Sequence, residues 1–170
     1  MILWDFNENK NYIILGNYKI LNVKDAHKAA KLLDHINRLI IKTLKSIYLH
    51  EAKTPEINLL LNTPYILQEM QLVKDQGAIK FEGLNKPKRV RNVGKTDIGS
   101  DGKLRATYRK IFLTIRNDKG ELKDIDSLKK LIAHELTHTA LNHVTWKDDN
   151  HGKKFSKYNK LILRHILLNT

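Results

Sequence analysis

Between residues 25 and 50 apolar side chains recur at Ala29, Leu32, Leu33, Ile36, Leu39, Ile40, Leu44 and Ile47. Steps of three and four lay one stripe along a helix, which predicts a long core-facing helix here. Asn22, with Asp25 three residues on, marks its start. Ahead of it NYIILGNYKILN (residues 11–22) reads as two short β-runs about Gly16-Asn17, a hairpin turn. After it INLLL (residues 57–61) is too short for periodicity to decide, and its apolar run reads as a buried strand. Thr63-Pro64 suits a helix start running to about Val73. Residues 75–105 show no sustained period and read as long loops with one short strand near residues 78–81; a loop of that length is often functional. ATYRKIFLTIR (residues 106–116) has the aromatic and β-branched content of a strand, followed by a turn at Asp118-Lys119-Gly120. Asp124 or Asp126 then caps a helix whose Leu128, Leu131, Ile132 and Leu136 face the core. A last helix carries the stripe Phe155, Tyr158, Leu161, Ile162 and Ile166. The order of elements predicts an α+β fold with a small mixed sheet.

Composition changes this picture in two ways. At 170 residues the chain fits one domain, residues 1–170, and its 41% hydrophobic and 29% charged content is that of an ordinary globular protein. Zero cysteines exclude disulfides and thiolate metal sites and are compatible with a reducing compartment. No apolar run reaches membrane-spanning length, and MILWDFNENKN lacks the parts of a signal peptide. An intracellular location, cytoplasm or nucleus, is expected. Abundant Lys, Asn and Ile fit an AT-rich genome such as that of many large DNA viruses.

Charge is the second change. Thirty-one basic against 18 acidic residues leave 31 − 18 = +13, which favours an anionic partner, most simply nucleic acid. Residues 86–110 hold nine basic residues against Asp97 and Asp101, or 9 − 2 = +7. Lys86, Lys88, Arg89, Arg91 and Lys95 are the candidate phosphate contacts, with a merely solvated loop as the competing account. No base-reading motif accompanies them, so binding would be non-specific.

The chemistry concentrates in residues 131–155, LIAHELTHTALNHVTWKDDNHGKKF. HELTH places His134 and His138 four residues apart, about 40° from each other on a helix, so two imidazoles can share one zinc ion. Glu135 lies beside that face as a general base. A catalytic zinc needs a third ligand, and the candidates are His143, His151, His165, Asp148 and Asp149. His143 lies about 140° round the wheel from His138 and points away unless the helix breaks first. His151, after the polar TWKDDN and before Gly152, sits where a loop can return it, and is the preferred third ligand over His143.

HELTH, a polar spacer and HGKKF together resemble the HExxH…HGxxF arrangement of SprT-like (Spartan-type) and WLM metalloproteases. FEGLNKP (residues 81–87) and the strand IFLTIRND before the helix are similar to the WLM version, and the resemblance covers about residues 81–160. It implies a zincin-like fold with a C-terminal backing helix, His134, His138 and His151 as zinc ligands, Glu135 as catalytic acid and base, and substrate proteins crosslinked to DNA. It also implies that the strand before the active-site helix, residues 111–115, is the edge on which a substrate chain adds. Thr137 departs from the commoner Ala, and the chain ends at Thr170 with no zinc-module or ubiquitin-binding tail. Tyr158 is a candidate oxyanion partner. Metzincin and thermolysin-like patterns fit less well, since Met1 and Met70 are the only methionines and no Glu follows Glu135.

The expected function is therefore zinc-dependent endopeptidase action on DNA-bound proteins. Two alternatives stand beside it. One is a basic nucleic-acid-binding domain with a structural or absent zinc. The other is a zinc hydrolase of a non-peptide bond.

Overall fold

The computed structural model describes residues 11–71, 73–74, 80–81, 83–88, 108–143 and 152–170. Those residues form a small α+β fold with a mixed five-stranded sheet and four helices. The sheet runs β1 (Tyr12–Leu15), β2 (Tyr18–Leu21), β3 (Tyr65–Glu69), β7 (Tyr108–Leu113), β6 (Gly83–Lys88) in spatial order. β1 and β2 are an antiparallel hairpin turned at Gly16, whose φ of +61° sits in the region that favours glycine. β2, β3 and β7 are parallel, and β6 returns antiparallel along β7. The short strands β4 (Val73–Lys74) and β5 (Lys80–Phe81) pair separately.

The predicted long helix is α1 (Ala26–His50), burying Ala29, Leu33, Ile36, Leu39, Ile40 and Ile47 in the main core. β7 shows the period of two. Ile111 and Leu113 join the main core under the helices, while Phe112 joins Met70 and Leu84 on the other face. α3 (Ile125–Ala140) starts at Asp124, whose side chain accepts from Ser127 N at 2.8 Å. α4 (Lys153–Leu168) buries Phe155, Tyr158, Ile162 and Ile166 and packs against α3 and α1. No described helix is long and apolar enough to cross a membrane.

Four expectations are corrected. Residues 83–88, expected as loop, form strand β6, because they pair in register along the whole of β7. INLLL is part of helix α2 (Pro55–Asn62): Thr54 caps it, accepting from Ile57 N at 3.2 Å, and Ile57 and Leu60 are buried one turn apart. Thr63-Pro64 leads into strand β3, because residues 65–69 pair in register with β7 and the Pro64 carbonyl accepts from Arg109 N. Its Gln68 and Glu69 are buried, which hides the strand from a reading of polarity. The last correction bears on function. β7 lies between β3 and β6, so both of its hydrogen-bonding edges are already used and it is not an open edge; among the described strands the edges of this sheet are β1 and β6, and β6 is the one that packs against α3.

Candidate metal centre

α3 brings the HELTH side chains together near its C-terminal end. The Nε2 atoms of His134 and His138 are 3.3 Å apart, and Glu135 Oε1 is 3.9 Å from His138 Nε2. Two Zn–N bonds of about 2.0–2.1 Å at a tetrahedral angle would put their nitrogens about 3.3–3.4 Å apart, so the imidazole pair is already spaced for one ion. Among the described residues His134, Glu135 and His138 form the group whose ligand atoms lie close enough to hold a metal. Glu135 and His138 are buried, and His134 is half-buried.

Packing holds this geometry on three sides. Phe155, the last residue of HGKKF, sets its ring 5.0 Å from His134 and 5.1 Å from His138, centroid to centroid. Thr137 is fully buried and bonds back to Ala133 O at 2.7 Å. Below the helix, β6 approaches so closely that a Cβ on Gly83 would lie 2.8 Å from Glu135 Oε2 and 2.9 Å from Leu131 Cδ1. Two residues on, Asn85 donates to Glu135 O at 2.6 Å and to Thr139 Oγ1 at 2.7 Å, tying β6 to the turn that carries Glu135 and His138. Arg109, 1% exposed on β7, donates to His143 O at 2.6 Å. Burial pulls its guanidinium down to about 10, still charged at neutral pH.

No local periodicity marks Gly83, Asn85 or Arg109 as a neighbour of α3. Only strand pairing, in which Asn85 faces Ile111 and Pro87 faces Arg109, aligns them beneath α3. Lys86 and Lys88 alternate with them and therefore lie on the sheet face of Phe112, with Lys86 Nζ 5.7 Å from that ring. Arg89, Arg91, Lys95, Asp148, Asp149 and the preferred third ligand His151 lie outside the described residues. His143 is not in the metal-holding group; its Nδ1 is 2.7 Å from the other nitrogen of His138, Nδ1. His165 is not in it either, being bonded to Ser46 and Glu51 between α1 and α4. Tyr158, the oxyanion candidate, has its hydroxyl engaged at α2. Its hydroxyl is 3.1 Å from Thr54 Oγ1 and 3.0 Å from Glu56 Oε2, a pin to the start of α2.

Comparison of the chain with family models, with curated proteins and with solved structures finds no match.

Proposed function

We propose that this chain is a zinc-dependent endopeptidase of the zincin-like type, acting on DNA-bound or DNA-crosslinked proteins. The observation that carries the reading is the 3.3 Å spacing of His134 Nε2 and His138 Nε2 with a buried carboxylate 3.9 Å from one of them. Both imidazoles would hold the metal through Nε2, and the sequence offers His151 as the third ligand. A zinc ion there supplies Lewis acidity, polarising a scissile carbonyl and bringing the pKa of a water to about 7. Glu135 takes a proton from the attacking water and passes it to the leaving amine. Its backbone carbonyl is held by Asn85, so the carboxylate works from a fixed turn. The substrate adds as an extended strand along β6, the sheet edge beside Glu135.

A closed structural site is less well supported, because a fourth ligand from His143 would have to leave the wrong side of the His138 ring. The DNA partner rests on the net charge of +13 and on the family resemblance. The test is cleavage of a DNA-binding protein by zinc-loaded enzyme, with and without DNA and with a chelator. Chelator-sensitive cleavage that DNA accelerates is expected. No cleavage of any protein, folded or unfolded, would overturn the protease reading; cleavage indifferent to DNA would remove the DNA partner alone.

A further inference from the structure

We infer that His143 is a positioning residue for His138: its Nδ1 accepts the His138 Nδ1 hydrogen and so keeps the Nε2 lone pair of His138 turned toward the metal. This rests on the metal-centre reading above. It begins with how the helix ends. Continued as a helix, residue 143 would stand about 140° away from residue 138. Instead Leu141 closes α3, and Asn142 takes φ of +54°, the left-handed region that Asn tolerates better than most residues. Asn142 N then donates to Thr139 O and His143 N to His138 O, each at 3.1 Å. That pair of bonds is a Schellman cap, and it folds residue 143 back over residue 138.

The fold-back is held from outside as well as within. Arg109 Nη1 donates to His143 O at 2.6 Å, fixing the turn to strand β7. The His138 and His143 rings then meet with centroids 5.0 Å apart and their Nδ1 atoms 2.7 Å apart. Phe155 stacks on the His143 ring at 6.3 Å and 10°.

The bond direction follows from proton counting. A neutral imidazole carries one N–H and one lone pair. If His138 Nε2 faces a cation, its hydrogen must be on Nδ1, and His143 Nδ1, 2.7 Å away, must be the acceptor. Partners of this kind fix the tautomer and ring orientation of a metal-binding histidine, and their loss typically costs 10–100-fold in metal affinity. The two nitrogens of one imidazole point in divergent directions. An ion on His138 Nε2 is therefore out of reach of a group bonded to its Nδ1, which separates positioning from ligation.

The test uses the full chain and compares wild type with His143→Ala and His143→Asn, since the Asn amide oxygen can stand near the position of Nδ1. Zinc affinity is read by competition with a chromophoric chelator, the donor set by the absorption bands of Co²⁺-loaded protein, and folding by thermal unfolding of the metal-free proteins. The expected result is about a 10–100-fold loss of zinc affinity in His143→Ala, most of it restored in His143→Asn, with an unchanged Co²⁺ spectrum in both. Three results would overturn the inference: unchanged affinity in His143→Ala, a Co²⁺ spectrum showing a lost nitrogen donor, or His143→Asn as weak as His143→Ala. If His143→Ala does not fold, His143→Asn against wild type decides, since retained affinity and spectrum are still required. Wild type that binds neither metal would instead sink the metal centre itself.

Discussion

Two groups of half-buried or buried histidine lie in the helical layer, and they are built on opposite principles. Between α1 and α4, His165 is 3% exposed, with Nδ1 2.8 Å from Ser46 Oγ and Nε2 2.7 Å from Glu51 Oε1. Each ring nitrogen meets a complementary partner, and the hydrogen bond from His165 holds the Glu51 carboxyl below its ordinary value, with Arg164 adding to the effect. That cluster is closed. At the end of α3, imidazole faces imidazole twice, at 3.3 Å and 2.7 Å, with a buried carboxylate 3.9 Å from the shared ring. The 2.7 Å contact closes one side of the His138 ring as a hydrogen bond, while at 3.3 Å two imidazole nitrogens converge beside a carboxylate, the condition a cation satisfies. The difference teaches that burial of a histidine says little; the chemistry of what meets each ring nitrogen says more.

The contrast breaks most sharply at the metal. His138→Ala should abolish zinc binding, whereas His165→Ala should leave one ion per chain; metal analysis of the purified variants decides between them. A next, smaller effect probes the close approach of β6. Gly83→Ala puts a methyl group 2.8 Å from Glu135 Oε2, so the carboxylate must shift while both imidazoles stay in place. Turnover should fall about 10–100-fold with zinc content unchanged, since misplacement of this order costs that much. Steady-state kinetics alongside metal content would expose the opposite pattern.

The smallest effect belongs to the closed cluster. His165→Ala takes the Ser46 hydroxyl's partner and one of the two partners of Glu51 Oε1, which keeps Arg164, and should cost about 1–3 kcal/mol of stability. The pin also has a pH signature. The Glu51 pKa is lowered on folding, so its contribution is present above the ordinary glutamate value of 4.5 and is lost as pH falls through the folded value. The stability gap between wild type and Glu51→Gln should therefore be wide near neutrality and close below pH 4.5. Thermal unfolding across that range measures it; a gap that stays constant with pH would remove the charged pin.

Local signals made α1, α3, α4 and the HELTH pair legible, because a helical stripe, an Asp124 cap and an i,i+4 spacing are all properties of neighbouring residues. Two Thr-Pro pairs show where such signals stop. Thr54-Pro55 opens α2, and Thr63-Pro64 opens β3, though the dipeptides are identical. What separates them is distant: Pro64 O is taken by Arg109 N, and residues 65–69 pair with β7. β6 was hidden for a related reason. GLNKPK is poor strand sequence, and its Pro87 is tolerated because β6 is an edge strand. Thus Gly83 and Asn85 reach Glu135 through pairing that no window of sequence contains. His143 was legible only conditionally, since its place depends on Asn142 ending the helix.

The most direct test of the central claim sets Glu135→Gln beside wild type, both reconstituted with zinc and given an unfolded protein substrate. Gln is nearly isosteric with Glu and leaves His134 and His138 untouched, so both proteins should hold one zinc ion per chain. Cleavage by Glu135→Gln should be slower by about 10²–10⁴, the usual worth of a positioned general base. A zinc-loaded Glu135→Gln protein that cleaves as fast as wild type would contradict the account.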